Sequence, residues 1–407
     1  MTDTISIDEL LAEGTAFLDA TVPALNAADE EFVWGRGSDQ LNVLEEVDRD
    51  HLGEILVAAK GYAAARYDAG LGWIDGPVEY GGRGLSTEHA IAFAELEGLY
   101  ELPNLSILVI ALGFVGPALR SVASPEICSE LLPKLYRGDL IMCQLFSEPD
   151  AGSDLAAAAT RAVRDGDEWL ITGQKVWTSS AHAADLGICV CRTDPDAPKH
   201  RGLTTFLVDM HAEGVDVRPL VQMTGEANFN EVFLNEVRVP DSMRVGDVNS
   251  GFGVILTVLG NERSITTRAP KRGGGVGPFE RVVGVAREFG DLSDPITRQR
   301  LAEVYSSMRI RELMNARWRA SLQPGETPGP EMMLQKIGNH AFNRELVTLL
   351  GEVLGPRLIA DTGEWGAYAW ANYVLSTPGM RIGGGTEEIV RNTIGERVLG
   401  LPREPRA

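Results

Sequence analysis

Two short stretches hold the residue types that could do chemistry. The first is Gln144-Leu145-Phe146-Ser147-Glu148-Pro149-Asp150-Ala151-Gly152-Ser153-Asp154, and the second, some twenty residues on, is Gly173-Gln174-Lys175-Val176-Trp177-Thr178-Ser179. In the first, small hydroxyl residues, a glycine and a proline fix a tight backbone. In the second, a tryptophan lies two residues after a lysine and is flanked by hydroxyls. That grouping fits a flat ring with a polar edge: the tryptophan supplies a large apolar face for an isoalloxazine, and serine hydroxyls or backbone N–H groups meet its carbonyl and nitrogen edge. The same residues also suit a turn followed by a core tryptophan.

A third candidate is Asn261-Glu262-Arg263. Ile255, Val258, Leu259 and Ile265 lie three, four or seven positions from Glu262, so Glu262 projects from the apolar stripe of a helix. A carboxylate on a buried face costs free energy unless paired, and desolvation raises its pKa toward the range of a general base. The alternative is a structural glutamate bridged to an arginine. Arg263 is adjacent rather than four residues away, so it faces another side of the helix. Two weaker features carry less. Arg272-Gly273-Gly274-Gly275-Val276-Gly277 resembles a phosphate loop, but no Lys-Ser/Thr follows and no strand precedes it, which reads as a flexible helix break. The histidines at 51, 89, 182, 200, 211 and 340 show no i,i+4 pair, so no metal site is expected.

These residues need elements to position them. From 7 to about 136 the apolar period is helical, interrupted by the glycine-rich loop Gly76 to Gly84. From 139 to 245 short apolar or alternating runs, Glu168 to Thr172, Lys175 to Ser179, Leu186 to Arg192, Leu203 to Val208, Val215 to Val221 and Glu231 to Val239, predict an antiparallel β domain. After Pro240 the helical period returns through Val254 to Thr267, Phe279 to Phe289, Ile296 to Leu322, Pro330 to Leu354 and Thr386 to Leu399. The expected fold is α+β and multidomain: an all-α domain over 1–138, a middle antiparallel β barrel or sandwich over 139–245, and a C-terminal four-helix bundle over 246–407.

Composition narrows the partners. The 407 residues carry 37 Lys and Arg against 58 Asp and Glu, a formal charge of −21 with a pI near 4.8. Phosphate backbones and anionic lipid surfaces are repelled by such a surface, so nucleic acid is not an expected partner. Residues 1 to 60 alone hold 14 acidic and 3 basic side chains. Cys128, Cys143, Cys189 and Cys191 are too few for a disulfide framework in so long a chain and are expected to be reduced and mostly buried. The acidic start and the lack of any stretch approaching 18 apolar residues predict a soluble cytoplasmic protein without membrane insertion.

The two leading stretches resemble the flavin-binding signature of the acyl-CoA dehydrogenase family, whose members show an S/T-E-P-x-A-G-S-D run followed by G-x-K-x-W-I/T-T/S-N/S. Further parts match in order: Glu79-Tyr80-Gly81-Gly82-Arg83-Gly84, Phe229-Asn230-Glu231-Val232-Phe233, Val237-Arg238-Val239-Pro240, and Gly385-Thr386-Glu387-Glu388-Ile389 with Arg391. The likeness covers nearly the whole chain. It implies FAD as cofactor, with Gln144, Phe146 and Ser147 at the flavin ring, Gly152 and Ser153 lining flavin and thioester, and Trp177 with Ser179 covering the ring near N5. Thr386 and Glu388 would lie near the adenosine part.

The implied reaction is α,β-dehydrogenation of an acyl-CoA, with electrons passed to an electron-transfer flavoprotein. Many members place the base just before the C-terminal G-T motif, where this chain has Gly384. A second, isovaleryl-CoA dehydrogenase-like branch carries it in an E-R pair on a helix, which assigns the base to Glu262 and a CoA-supporting or flavin-supporting role to Arg263. The backbone N–H of Gly384 can still donate to the thioester carbonyl. Two segments depart from the family pattern. R-x-x-F-G-K reads Ala286-Arg287-Glu288-Phe289-Gly290-Asp291, and Q-x-x-G-G reads Glu352-Val353-Leu354-Gly355-Pro356. Both concern the distal half of FAD. The loosened pattern resembles actinobacterial members, some of which act on steroid side-chain CoA esters as mixed tetramers. A homotetramer or mixed tetramer is therefore expected, the alternatives being a structural subunit of a mixed tetramer or a flavin oxidase.

Overall fold

A computed structural model of the chain describes residues 5–25, 32–41, 49, 51–268, 279–321 and 329–403, with backbone alone for 262–268, 319 and 321. The chain divides into two compact units, Met1–Leu25 with Glu46–Pro270, and Asn26–Glu45 with Lys271–Ala407. The glycine-rich stretch 272–277 and the side chains of Glu262 and Arg263 lie outside the described residues.

The first unit opens with helices α1 (Ile7–Thr21), α2 (Leu52–Asp68), α3 (Thr87–Glu97), α4 (Gly116–Val122) and α5 (Pro125–Arg137). Ser6 and Glu9 start α1 with a reciprocal cap: the serine hydroxyl accepts from the Glu9 N–H while the Glu9 carboxylate accepts from the Ser6 N–H at 2.7 Å. The loop between α2 and α3 turns through positive φ at Gly81 and Gly84, as its glycine content predicts. Helix α6 (Gly251–Arg268) belongs to this unit as well.

Between α5 and α6 lie eight strands: β1 (Met142–Leu145), β2 (Arg161–Asp165), β3 (Glu168–Ser179), β4 (Leu186–Arg192), β5 (Leu203–Asp209), β6 (Val215–Leu220), β7 (Phe229–Pro240) and β8 (Arg244–Val245). They form one sheet in the order β6-β7-β3-β2-β4-β5-β8, with β1 beside β4. Alternate residues of β4 serve two cores. Ile188 and Val190 pack with Leu119, Leu132, Leu135 and Val258 of the helices, and Cys189 and Cys191 pack with Ile171, Phe206, Val232 and Val237 of the other strands. Burial on both faces is the reason β4 and β5 read as continuous apolar runs rather than as alternations. All four cysteines are buried and free.

The observed sheet differs from the expected one in three respects. The pairing of β1 with β4 is parallel, as is the single Arg161↔Arg192 pair of β2 with β4, because the β2–β3 hairpin in the first case and β3 in the second intervene and make a connection long enough to bring the chain back in the same direction. The two expected strands at 168–172 and 175–179 are one, interrupted by register shifts against β7. Strands β1 and β2 escape the alternation pattern because β1 has four residues and β2 buries only Ala162.

The second unit contains α7 (Phe279–Phe289), α8 (Pro295–Ser321), α9 (Leu334–Leu354), α10 (Ala369–Ile382) and α11 (Glu387–Arg397). Helix α9 packs against the other four. Its Phe342, Leu346, Leu349 and Leu350 follow the helical period and build the core with Val282, Val285, Val304, Trp370 and Tyr373.

One close approach decides how β2 and β3 meet. A Cβ added at Gly173 would sit 2.4 Å from Thr160 Oγ1 and 2.7 Å from Thr160 Cα, whereas one at Gly152 meets nothing within 4 Å. Gly173→Ala is expected to lower stability by about 2–3 kcal/mol in urea unfolding, and Gly152→Ala to stay within about 0.5 kcal/mol of the wild type.

Candidate functional site

The first candidate stretch is held in place by an ion pair in the protein interior. Lys175 of β3 is fully buried, and its ammonium donates to Glu148 Oε1 at 2.7 Å, to the Val190 carbonyl at 2.7 Å and to the Phe146 carbonyl at 3.2 Å. Glu148 in turn accepts from the backbone N–H of Thr160 at 2.9 Å and of Ala159 at 2.7 Å. Burial pushes the Glu148 carboxyl upward, but the Lys175 charge and these donors outweigh it and hold the group below the usual carboxylate range. The Val176 N–H donates to the Ser147 carbonyl at 2.9 Å, and Glu148 and Ala151 exchange two backbone hydrogen bonds at 3.1 Å. The carbonyls of Phe146 and Ser147 are thus committed to β3.

Beyond Lys175 the strand bulges. Trp177 has φ +58° and Ser180 φ +60°, a region that a bulky residue occupies only when its surroundings impose it. Trp177 is 56% exposed and meets the Phe229 ring edge-on at a centroid distance of 5.7 Å. It is therefore not a core tryptophan; it presents a free aromatic face.

A polar network backs this bulge. Asn230 is fully buried and donates through Nδ2 to the Thr178 carbonyl at 2.9 Å, while its Oδ1 accepts from Arg49 Nη2 at 2.7 Å; Arg49 Nε donates to the Ala227 carbonyl at 2.9 Å. Asn230 Nδ2 is also 3.3 Å from His182 Nδ1. Because Asn230 presents its NH2 there, His182 Nδ1 accepts and the ring proton is on Nε2. Burial and the Arg49 charge push His182 down to about 4. Four buried polar atoms in and beside these segments have no protein partner: Gln144 Nε2, Thr160 Oγ1, Thr178 Oγ1 and His182 Nε2. An exposed aromatic face near unsatisfied buried polar atoms fits a flat ring with a polar edge.

The other expected residues fall as follows. Gly152 and Ser153 are exposed in the turn after Glu148, and half-buried Ser179 pairs with Phe229 at the end of β3. On α6, Ile255 and Val258, seven and four residues before Glu262, are fully buried, and Asn261 Nδ2 donates to the Phe114 carbonyl at 3.2 Å. In the second unit, Gly384 and Gly385 turn with φ +66° and +96° between α10 and α11. The Thr386 hydroxyl caps α11 by accepting from the Ile389 N–H at 3.3 Å, and Glu388 pairs with Arg381 at 2.8 Å. Glu387 meets Arg391 at 2.6 Å, Arg381 at 3.1 Å and His340 at 3.3 Å. Sequence reasoning missed Lys175, Arg49, Asn230 and His182 as positioning groups. Only Lys175 and Asn230 carried a signal, by lying inside quoted motifs.

Comparison with known proteins places the chain among relatives. The sequence signature described as "Acyl-CoA dehydrogenase, middle domain" matches residues 143–237, and that described as "Acyl-CoA dehydrogenase, C-terminal domain" matches residues 249–399. The chain is 38% identical over 339 residues to acyl-CoA dehydrogenase FadE34 of Mycobacterium tuberculosis, which takes in 83% of this chain and 45% of that protein, so it spans less than half of that relative. It is 36% identical over 342 residues to acyl-CoA dehydrogenase IpdE1 of the same organism, with coverages of 82% and 85%. Among solved structures, the Tcur3481-Tcur3483 steroid ACAD resembles it with a TM-score of 0.70 and 27% identity over 98% of both chains.

Two outcomes follow from the buried charges. Lys175→Met leaves Glu148 buried without its counter-ion and is expected to cost about 3–5 kcal/mol in urea unfolding at neutral pH, with part of the loss recovered by adding Glu148→Gln. The wild type's advantage over that double variant should persist above the ordinary carboxylate pKa and vanish as the pH falls through the lowered pKa of Glu148. His182 behaves similarly in a higher window. The unfolded chain takes up its proton near the ordinary histidine pKa of 6.5 and the folded chain only near 4. Wild-type stability should therefore fall on acidification across that interval with a slope approaching one proton, and His182→Asn should remove that component.

Proposed function

The chain belongs to the acyl-CoA dehydrogenase family, and on that premise we propose that it catalyses FAD-dependent α,β-dehydrogenation of an acyl-CoA thioester. The observation that carries this reading is the exposed Trp177, held at positive φ on a bulge beside the Lys175–Glu148 pair. Bound FAD would supply acceptance of the β-hydride at N5. Gln144, Phe146, Ser147, Gly152, Ser153, Trp177 and Ser179 would hold the ring and its surroundings, and Thr386 with Glu388 the adenosine part. Glu262 removes the α-proton, the Gly384 N–H donates to the thioester carbonyl as enolate-like charge develops, and Ser153 and Arg263 support the substrate. The placement of Ile255 and Val258 in the helical core supports Glu262 as the base, because the same row of α6 leads to it.

A bulky acyl group of the steroid side-chain type is the proposed substrate class, supported by the resemblance to the steroid ACAD. Electron-transfer flavoprotein is the proposed acceptor and the cytoplasm the proposed location. Among the described residues no helix is long and apolar enough to cross a membrane. The assembly is proposed to be a tetramer. The departures at Ala286–Asp291 and Glu352–Pro356, together with the paired name of the steroid enzyme, favour a mixed tetramer as a second reading in which this chain binds FAD only with a partner polypeptide.

Turnover of a panel of CoA esters, followed with an artificial electron acceptor and separately by oxygen consumption, tests the reaction and distinguishes dehydrogenase from oxidase. Glu262→Gln keeps the side chain's shape but cannot accept a proton. It is expected to lower kcat by about two to four orders of magnitude while retaining the flavin absorbance of the wild type. Wild-type turnover in that variant would assign Glu262 a structural role.

A further inference from the structure

The turn that carries Gly384 is gripped by a residue that belongs to none of the family motifs quoted above. Lys336, in the first turn of α9, donates from one ammonium to the carbonyls of both Gly383 and Gly385. Those carbonyls flank Gly384. A trans peptide is planar, with its C=O and N–H antiparallel, so fixing the Gly383 carbonyl on Lys336 also fixes the Gly384 N–H, pointing away from Lys336.

Such a fixture matters here because the turn is three consecutive glycines, two of them at positive φ, the stretch of backbone with the widest conformational freedom. Gly384 is exposed, so side-chain packing does not hold it. Lys336 itself comes from a helix whose following turns are locked in the core by Phe342, Leu346 and Leu350. One turn along the same face, His340 Nε2 donates to the Met380 carbonyl at 3.2 Å, tying the end of α10 to α9. A cation on the Gly383 carbonyl also polarises that peptide and strengthens its N–H as a donor.

We propose that Lys336 is the positioning residue for the oxyanion donor: by holding the Gly383 and Gly385 carbonyls it orients the Gly384 N–H that polarises the thioester carbonyl. The inference rests on the reading of Gly384 given above, and the experiment separates the two. Holoenzyme is mixed with the 2-enoyl-CoA product of the CoA ester it turns over best, carrying 13C at the carbonyl, and the carbonyl stretch is read by infrared difference spectroscopy; coenzyme A alone, which has no carbonyl to polarise at that position, is titrated by calorimetry. The wild type should lower the stretching frequency relative to the free enoyl-CoA. Lys336→Met should lose roughly half of that shift or more and about ten- to a hundredfold in kcat, with coenzyme A affinity within about twofold of the wild type. Lys336→Gln, which reaches only one carbonyl, should fall between, and Lys336→Arg should restore most of the shift. Full wild-type shift in Lys336→Met, or in Lys336→Gln should the methionine variant not fold, overturns the role of Lys336 and leaves that of Gly384 standing. A wild type that shows no shift overturns the Gly384 reading and this inference with it.

Discussion

The buried pair of Lys175 and Glu148 is the interaction on which the rest of the first unit depends. Two charges removed from water are tolerated only when every strong donor and acceptor finds a partner. Here the ammonium meets three acceptors and the carboxylate accepts from two backbone N–H groups as well. The consequence is geometric. The pair ties the turn after β1, the middle of β3, the edge of β4 and the entry to β2 to one point, so the segment from Phe146 to Ala151 cannot shift without exposing an unpaired charge to a low-dielectric interior.

That rigidity explains how the neighbouring backbone keeps a conformation it would not choose. A tryptophan that is exposed and at positive φ is unfavourable on both counts, and it persists because Val176 is hydrogen-bonded to Ser147 on one side and Thr178 to the buried Asn230 on the other. Arg49 completes the brace from a distant part of the chain. Backbone strain of this kind, next to the unpartnered Thr178 hydroxyl, clusters at active sites and ligand clamps.

The two units use the same device in different settings. In the β domain Lys175 bridges the carbonyls of Phe146 and Val190; in the helical unit Lys336 bridges those of Gly383 and Gly385. A lysine ammonium has three donors and no acceptor, so it can cross-link backbone carbonyls that secondary structure leaves unmatched. In the first case the lysine is fully buried and its ammonium also meets a carboxylate; in the second the lysine is partly exposed.

Local sequence determined the order of helices, strands and helices and the residues of the flavin-type signature, because apolar period, turn chemistry and motif spacing are properties of neighbours along the chain. The runs at Leu186–Arg192 and Phe279–Phe289 coincide with β4 and α7. It did not determine the parallel placement of β1, which follows from what lies between the strands, or the polar strand β2, whose single buried residue leaves no pattern. It also could not show what Lys175, His182, Asn230 and Lys336 do. A lysine in an alternating strand reads as solvent-facing and a lone histidine as scattered, until tertiary structure brings Glu148, Arg49 or a glycine turn 47 residues away to within hydrogen-bonding distance. The charge and polarity of these side chains are local facts, but their burial and their partners are long-range ones, and only the folded chain sets the desolvation that turns a polar residue into a structural constraint.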